Sequence, residues 1–230
     1  MSMRRIDPLG DSAVLVEFDG DPGTSLCGPV QGFCAAVKAR AWPFVQDLVP
    51  ALCSVCIHYD PLRLYGHGWM PSTWFAELEA LECAPAAAAG ARLHRLPICY
   101  EAGFGLDVDE VAQRLGLAVE ALIQRHLAPV YQVAMIGFAP GFPYMEGLPA
   151  PLRLPRRATP RSQVPAGSVA ITEDLCGIYP APLPGGWHVL GRTPVRLFDV
   201  HRHSPSLLQA GDQVTFVRID RRRFEAFGPC

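Results

Sequence analysis

The residues best suited to chemistry in this 230-residue chain concentrate in its second half. Arg153, Arg156, Arg157 and Arg161 place four guanidinium groups within nine residues, and no acidic residue occurs from Gly147 to Thr172 to neutralise them. A guanidinium presents planar pairs of N–H donors that match carboxylate and phosphate oxygens, so the run reads as an anion site for a small acid or a phosphate group. The competing reading is a solvated loop or a docking face for an acidic partner. Pro155, Pro160 and Pro165 restrict where the loop points and favour function.

Two further segments have the composition of pocket walls. Gly137-Phe138-Ala139-Pro140-Gly141-Phe142-Pro143-Tyr144 leaves an expected strand with aromatic rings on a constrained backbone, while Pro184-Gly185-Gly186-Trp187 allows close backbone approach to a ligand. Either also fits an ordinary turn beside core aromatics. His126 falls on the stripe Val119, Leu122, Ile123, His126 of an expected helix and so points inward, as a satisfied core residue or as an acid or base. His201 and His203 flank Arg202 near Asp199 without a second ligand cluster, so no metal site is expected. Cys53 and Cys56 form C-x-x-C inside an expected strand, where a separation of three sends side chains to opposite faces and disfavours zinc and redox readings alike. Ser168 lacks the G-x-S-x-G context of a hydrolase nucleophile. The single lysine, Lys38, lies in an expected helix rather than a glycine loop, so a P-loop is not expected.

The elements that position these residues fall into two groups. The first stretch follows β-β-α-β-β-α: a strand near Met3–Leu9, one from Asp11 to Phe18, a helix with Val30, Phe33, Cys34 and Val37 on one face before Pro43, strands Phe44–Val49 and Cys53–Tyr59, and a helix Ser72–Leu81. That order predicts a small α+β sandwich. From Cys83 to Arg95 the alanine-rich sequence loses periodicity, which marks a boundary. Domains at 1–85 and 93–225 follow. In the second, a strand Leu93–Tyr100 precedes two helices, one opened by a capping box of Asp107 and Glu110 and the other near Ala118–His126. Ten prolines and seven glycines between Gly137 and Trp187 exclude long helices there. Strands at Val130–Gly137, Val169–Thr172, His188–Leu190, Val195–Asp199 and Gln213–Ile219 predict a mainly β barrel or sandwich.

Composition sets the outer limits. Half of the residues are apolar, enough for a substantial core, and a formal charge of -2 argues against a general nucleic-acid or membrane-surface binder. No apolar run follows Arg4 and Arg5 as in a signal peptide, and no transmembrane segment is visible, so a cytoplasmic location is expected. The eight cysteines then read as reduced, small core residues.

The second half carries a dense, ordered series of short motifs: Ile136 to Tyr144, Pro155-Arg156-Arg157, Pro160-Arg161, Val164 to Val169, Gly177-Ile178-Tyr179-Pro180, Pro184-Gly185-Gly186-Trp187 and Gly191-Arg192-Thr193-Pro194. Together they resemble the family of 5-oxoprolinase B-type subunits, also known as allophanate hydrolase subunit 1 or Kip-type kinase inhibitor. The likeness runs from about Leu96 to Ile219, and more loosely through Gly10-Asp11-Ser12-Ala13 and His58-Tyr59-Asp60-Pro61. It implies an α+β chain with a ferredoxin-like first domain and a cyclophilin-like β-barrel second domain. It also implies a subunit, incomplete alone, that opens 5-oxo-L-proline to L-glutamate with ATP and magnesium beside homologous C-type and A-type subunits, with no covalently bound cofactor.

Two alternatives come with the resemblance: a Kip-type inhibitor binding a sensor histidine kinase, and a carboxyltransferase-like subunit of a urea- or allophanate-metabolising enzyme. On the family reading the expected site is Arg157 and Arg161 for a carboxylate or phosphate, with Arg192 as a second anion contact. Phe138, Pro140, Gly141, Phe142, Tyr144, Gly185, Gly186 and Trp187 form its walls, and His126 serves as acid or base. Where the family has Gln-Thr before Gly-Ile-Tyr-Pro, this chain has Leu175-Cys176, a change that alters specificity if the turn meets substrate.

Overall fold

The computed structural model describes residues 4–20, 25–83 and 91–228. The chain divides into two compact units, Met1–Ala91 and Arg92–Cys230. Most of the alanine-rich stretch expected as the boundary, residues 84–90, lies outside the described residues, as does Cys230.

In the first unit, strands β1 (Arg4–Pro8), β2 (Ala13–Phe18), β3 (Val45–Pro50) and β4 (Ser54–Tyr59) form one antiparallel sheet in the order β1-β2-β4-β3. Helix α1 (Cys27–Arg40) lies between β2 and β3, and α2 (Pro61–Gly66) and α3 (Pro71–Ala80) follow β4. This is the strand order of a ferredoxin-like β-α-β-β-α-β sheet whose last strand has moved to the front of the chain. Val30, Phe33, Cys34 and Val37 of α1 are buried, as their spacing predicts. The centre of this core is Trp74, whose ring meets Tyr59 at 4.9 Å and Phe44 at 5.3 Å. Helix α2 is an addition to the expected elements. Its signal is Asp60-Pro61: the Asp60 carboxylate accepts the N–H groups of Leu62 and Arg63, and proline fits the first helical turn.

In the second unit, β5 (Leu93–Ile98), α4 (Val108–Arg114) and α5 (Val119–Leu127) precede β6 (Tyr131–Ile136), β7 (Pro143–Glu146), β8 (Arg161–Val164), β9 (Ser168–Thr172), β10 (Leu175–Ile178), β11 (Leu183–Gly185), β12 (His188–Arg192), β13 (Gln213–Arg218) and α6 (Arg221–Glu225). Seven strands pair in the order β12-β9-β10-β7-β6-β13-β5. The ends meet where Cys99 and Arg192 exchange two backbone hydrogen bonds of 2.9 Å, so the sheet curls into a nearly closed barrel. Alternate residues fill it: Leu96 and Ile98, Val169 and Ile171, Cys176 and Ile178, Val214 and Phe216 all belong to one buried cluster. Strands β8 and β11 pair separately as a two-stranded ribbon.

The expected strand Val195–Asp199 is not one. Phe198 and Ser206 make a lone bridge, and the Asp199 carboxylate turns the chain by accepting the His201 N–H. Of the cysteines, Cys27, Cys34, Cys99 and Cys176 are buried as expected, whereas Cys53 is exposed and Cys56 and Cys83 are partly so.

Candidate functional site

The site is built around a carboxylate that its spacing assigns to a helix cap. Asp107 stands at the start of α4, but its side chain makes no capping bond. Instead it lies with 1% of its side chain exposed between two arginines of the proline-rich loop. Arg161 donates to both carboxylate oxygens, Nη1 to Oδ2 at 2.8 Å and Nη2 to Oδ1 at 2.6 Å, while Arg157 Nη1 donates to Oδ1 at 2.7 Å. The Val189 N–H, on β12, completes the shell at 2.7 Å from Oδ2. Burial pushes the carboxyl pKa up, but these hydrogen bonds and the two positive charges outweigh it and hold it below the usual carboxylate value. Glu110, one helical turn on, accepts a second bond from Arg157 Nη1 at 3.2 Å.

The expectation that nothing neutralises the arginine run is therefore corrected. The neutralising groups come from about fifty residues upstream, where no local count could find them. Arg161 gives both Nη groups to Asp107, whereas Arg157 gives Nη1 alone, and its Nε is buried with no acceptor among the described residues. Arg192 takes a different set of partners: its Nε donates to the Ala166 carbonyl at 2.6 Å, and its guanidinium stacks 5.7 Å from the Phe224 ring centre. It sits at the barrel closure, where its backbone pairs with Cys99.

The two aromatic segments do come together. Phe142, with 1% of its surface exposed, is ringed by Tyr144 at 4.9 Å, Tyr179 at 5.2 Å, Phe138 at 5.4 Å and Trp187 at 5.6 Å between ring centres. Glycines make this density possible. A Cβ at Gly177 would lie 2.8 Å from Trp187 and 2.9 Å from Phe142, and one at Gly185 would overlap the Tyr179 hydroxyl. Phe138 differs from the other rings: it is 60% exposed and holds φ at 66°, a left-handed backbone that costs an aromatic residue on the order of 1 kcal/mol or more. Gly141, at φ 81°, and Pro140 turn the same loop so that Phe142 returns inward. The arginine loop is tied to this cluster through its backbone, because the Arg157 N–H donates to the Gly186 carbonyl at 2.8 Å and Arg161 pairs with Gly185 across the β8–β11 ribbon.

His126 lies elsewhere, wholly buried in the barrel interior. Its Nδ1 is 2.7 Å from the Tyr100 hydroxyl, its Nε2 3.6 Å from Cys176 Sγ, and its ring stacks on Phe216 at 5.1 Å. Burial drives its pKa down to about 3 and pushes those of Tyr100 and Cys176 up, so all three stay neutral. With no exposed surface it cannot meet a substrate, and the acid–base expectation for His126 gives way to a core role. The Leu175-Cys176 departure is settled by the same geometry: Leu175 is 8% exposed and Cys176 is sealed against His126, so the change alters core packing.

The motif series and the fold both have counterparts. The sequence matches the carboxyltransferase domain, subdomains C and D, over residues 4–208. It is 35% identical over 232 residues to the 5-oxoprolinase B-type subunit of Bacillus subtilis (strain 168), covering 97% of this chain and 96% of the relative. It is 34% identical to the corresponding 5-oxoprolinase subunit of Escherichia coli O157:H7, covering 94% and 97% respectively. Among solved structures, TTHA0988 superposes with a TM-score of 0.76 at 36% identity over 90% of this chain, which corresponds to 40% of that longer chain. Shared sequence over almost the whole length, on a small antiparallel sheet followed by a nearly closed barrel, places the chain in the family of 5-oxoprolinase B-type subunits.

Proposed function

We propose that this chain is the B-type subunit of an ATP-dependent 5-oxoprolinase, which opens 5-oxo-L-proline to L-glutamate together with A-type and C-type subunits. The observation that carries this reading is the near-complete alignment at 35% identity with a 5-oxoprolinase subunit of that type. A cyclic amide resists hydrolysis because its carbonyl carbon is a poor electrophile. Phosphorylation of the carbonyl oxygen from magnesium-bound ATP makes it a better one, and stabilising the developing negative charge then dominates catalysis.

In this reading the aromatic cluster is the substrate wall. The strained, exposed Phe138 and the partly exposed Tyr144 face the substrate, and the buried Phe142 and Trp187 support them from behind. Arg157 and Arg161, held by Asp107, fix the loop that also carries the exposed Arg153 and Arg156. No helix among the described residues is long and apolar enough to cross a membrane, which is compatible with work in the cytoplasm.

The test is phosphate release and glutamate formation from 5-oxoproline and ATP, with this chain alone and then with its A-type and C-type partners. Turnover only in the mixture supports the proposal. Silence in a properly assembled mixture overturns it and moves the kinase-inhibitor and urea-type readings forward.

A further inference from the structure

The first unit holds a cavity to which neither the arginine loop nor the aromatic cluster contributes. It lies between the last turn of α1 and the edge strand β3 and measures about 300 Å³, at the lower end of the range for small-ligand pockets. Val37, Trp42, Val45 and Leu48 make an apolar wall. Trp42 is a fixed part of it, with its ring stacked on Phe44 at 6.2 Å and edge-on to Trp74 at 5.8 Å.

Two opposite charges complete the lining, Lys38 on the helix and Asp47 on the strand. They do not close on each other. Lys38, the single lysine of the chain, makes no ion pair among the described residues, and Asp47 spends one carboxylate oxygen on the Leu48 N–H at 2.8 Å. The backbone is shaped on both sides of the cavity. Ala41 turns the chain out of α1 with a left-handed φ of 49°, and a bulge in β3 between Val45 and Asp47 leaves Gln46 without a partner position on β4. A bulge re-aims the side chains beside it. A lysine in a last helical turn suits the helix dipole, and a bulge blunts a sheet edge. Neither accounts for two opposite charges standing unpaired on the lining of one cavity.

We infer that this cavity is a binding site for a zwitterionic α-amino acid with an apolar side chain of about the size of leucine's. The ligand carboxylate meets the Lys38 ammonium, the ligand ammonium meets the second oxygen of Asp47, and the side chain lies on the Trp42 wall. A ligand with one charge answers only one of the two residues. 5-Oxoproline has a carboxylate but no ammonium, so the site is separate from the one that would open the lactam and does not depend on the reaction proposed above.

Calorimetry on the full chain tests this with three probes: L-leucine, N-acetyl-L-leucine, which lacks the ammonium, and L-leucinamide, which lacks the carboxylate. L-leucine should bind on the order of 10- to 100-fold more tightly than either analogue, the range expected of a hydrogen bond to a charged group. Lys38→Ala should weaken L-leucine to the level of L-leucinamide, and Asp47→Asn to that of N-acetyl-L-leucine, both in chains whose melting temperature is unchanged. Lys38→Arg should keep most of the affinity. Arg222→Ala, at an exposed arginine on α6, should change nothing. No binding of L-leucine at millimolar concentration, equal binding of all three probes, or a preference that survives both Lys38→Ala and Asp47→Asn each overturns the inference.

Discussion

Two of the buried polar clusters in the second unit obey opposite rules. Around His126, three ionisable groups, Tyr100, His126 and Cys176, stay neutral and satisfy one another inside the barrel. Around Asp107 every member is charged, and the carboxylate survives burial because four hydrogen bonds from Arg157, Arg161 and Val189 reach its two oxygens. Both arrangements avoid an unpaired buried charge, one by removing charge and the other by pairing it. The difference bears on function. A neutral, closed network has nothing to give a ligand. A charged cluster fixes the arginine loop to the start of α4 and to β12.

The comparison is most easily broken at Asp107. Replacing it by alanine leaves two guanidiniums without their buried counter-charge and should cost about 3–5 kcal/mol, read as a shift in the urea midpoint. A loss below about 1 kcal/mol would mean that Arg157 and Arg161 reach water freely. In the neutral cluster, Tyr100→Phe removes the hydroxyl that serves His126 Nδ1 and should cost about 1–3 kcal/mol by the same measurement. No loss would show that the histidine finds another donor.

Acid should sharpen the contrast. His126 has a folded pKa of about 3, so below its ordinary value near 6.5 the unfolded chain takes up a proton that the folded chain refuses. Stability is therefore full above pH 6.5 and falls as pH drops, by up to about 1.4 kcal/mol per unit. Asp107, held low when folded, adds a loss of the same sign at more acid pH. A flat stability profile between about pH 7 and 5 would show that the ring titrates in place. The smallest effect belongs to Cys176→Ser, which keeps an acceptor near His126 Nε2 and should shift stability by less than about 1.5 kcal/mol, with substrate choice unaltered. A change in substrate preference would return the Leu175-Cys176 departure to the site.

Where local spacing misleads in this chain, the cause is the same each time. The spacing of Asp107 and Glu110 is that of a capping box, yet the carboxylate turns away from its helix because two arginines about fifty residues later offer more. Strands β7, β8, β10 and β11 span four residues or fewer, too short to display alternation, and β10 is buried at all four positions. They exist because neighbouring strands recruit them.

By itself the sequence determined what rests on local rules and on ordered motifs: the α+β first unit, the apolar stripe of α5 with His126 pointing inward, most of the longer barrel strands, the proline and glycine loops, and the family. Tertiary structure alone decided which charges meet. It set Asp107 between Arg157 and Arg161, sent Arg192 to Phe224, closed the barrel over His126, and gathered Phe138, Phe142, Tyr144, Tyr179 and Trp187 into one cluster. Pairing of charges is decided by distance through space, and distance through space is what a one-dimensional spacing does not contain.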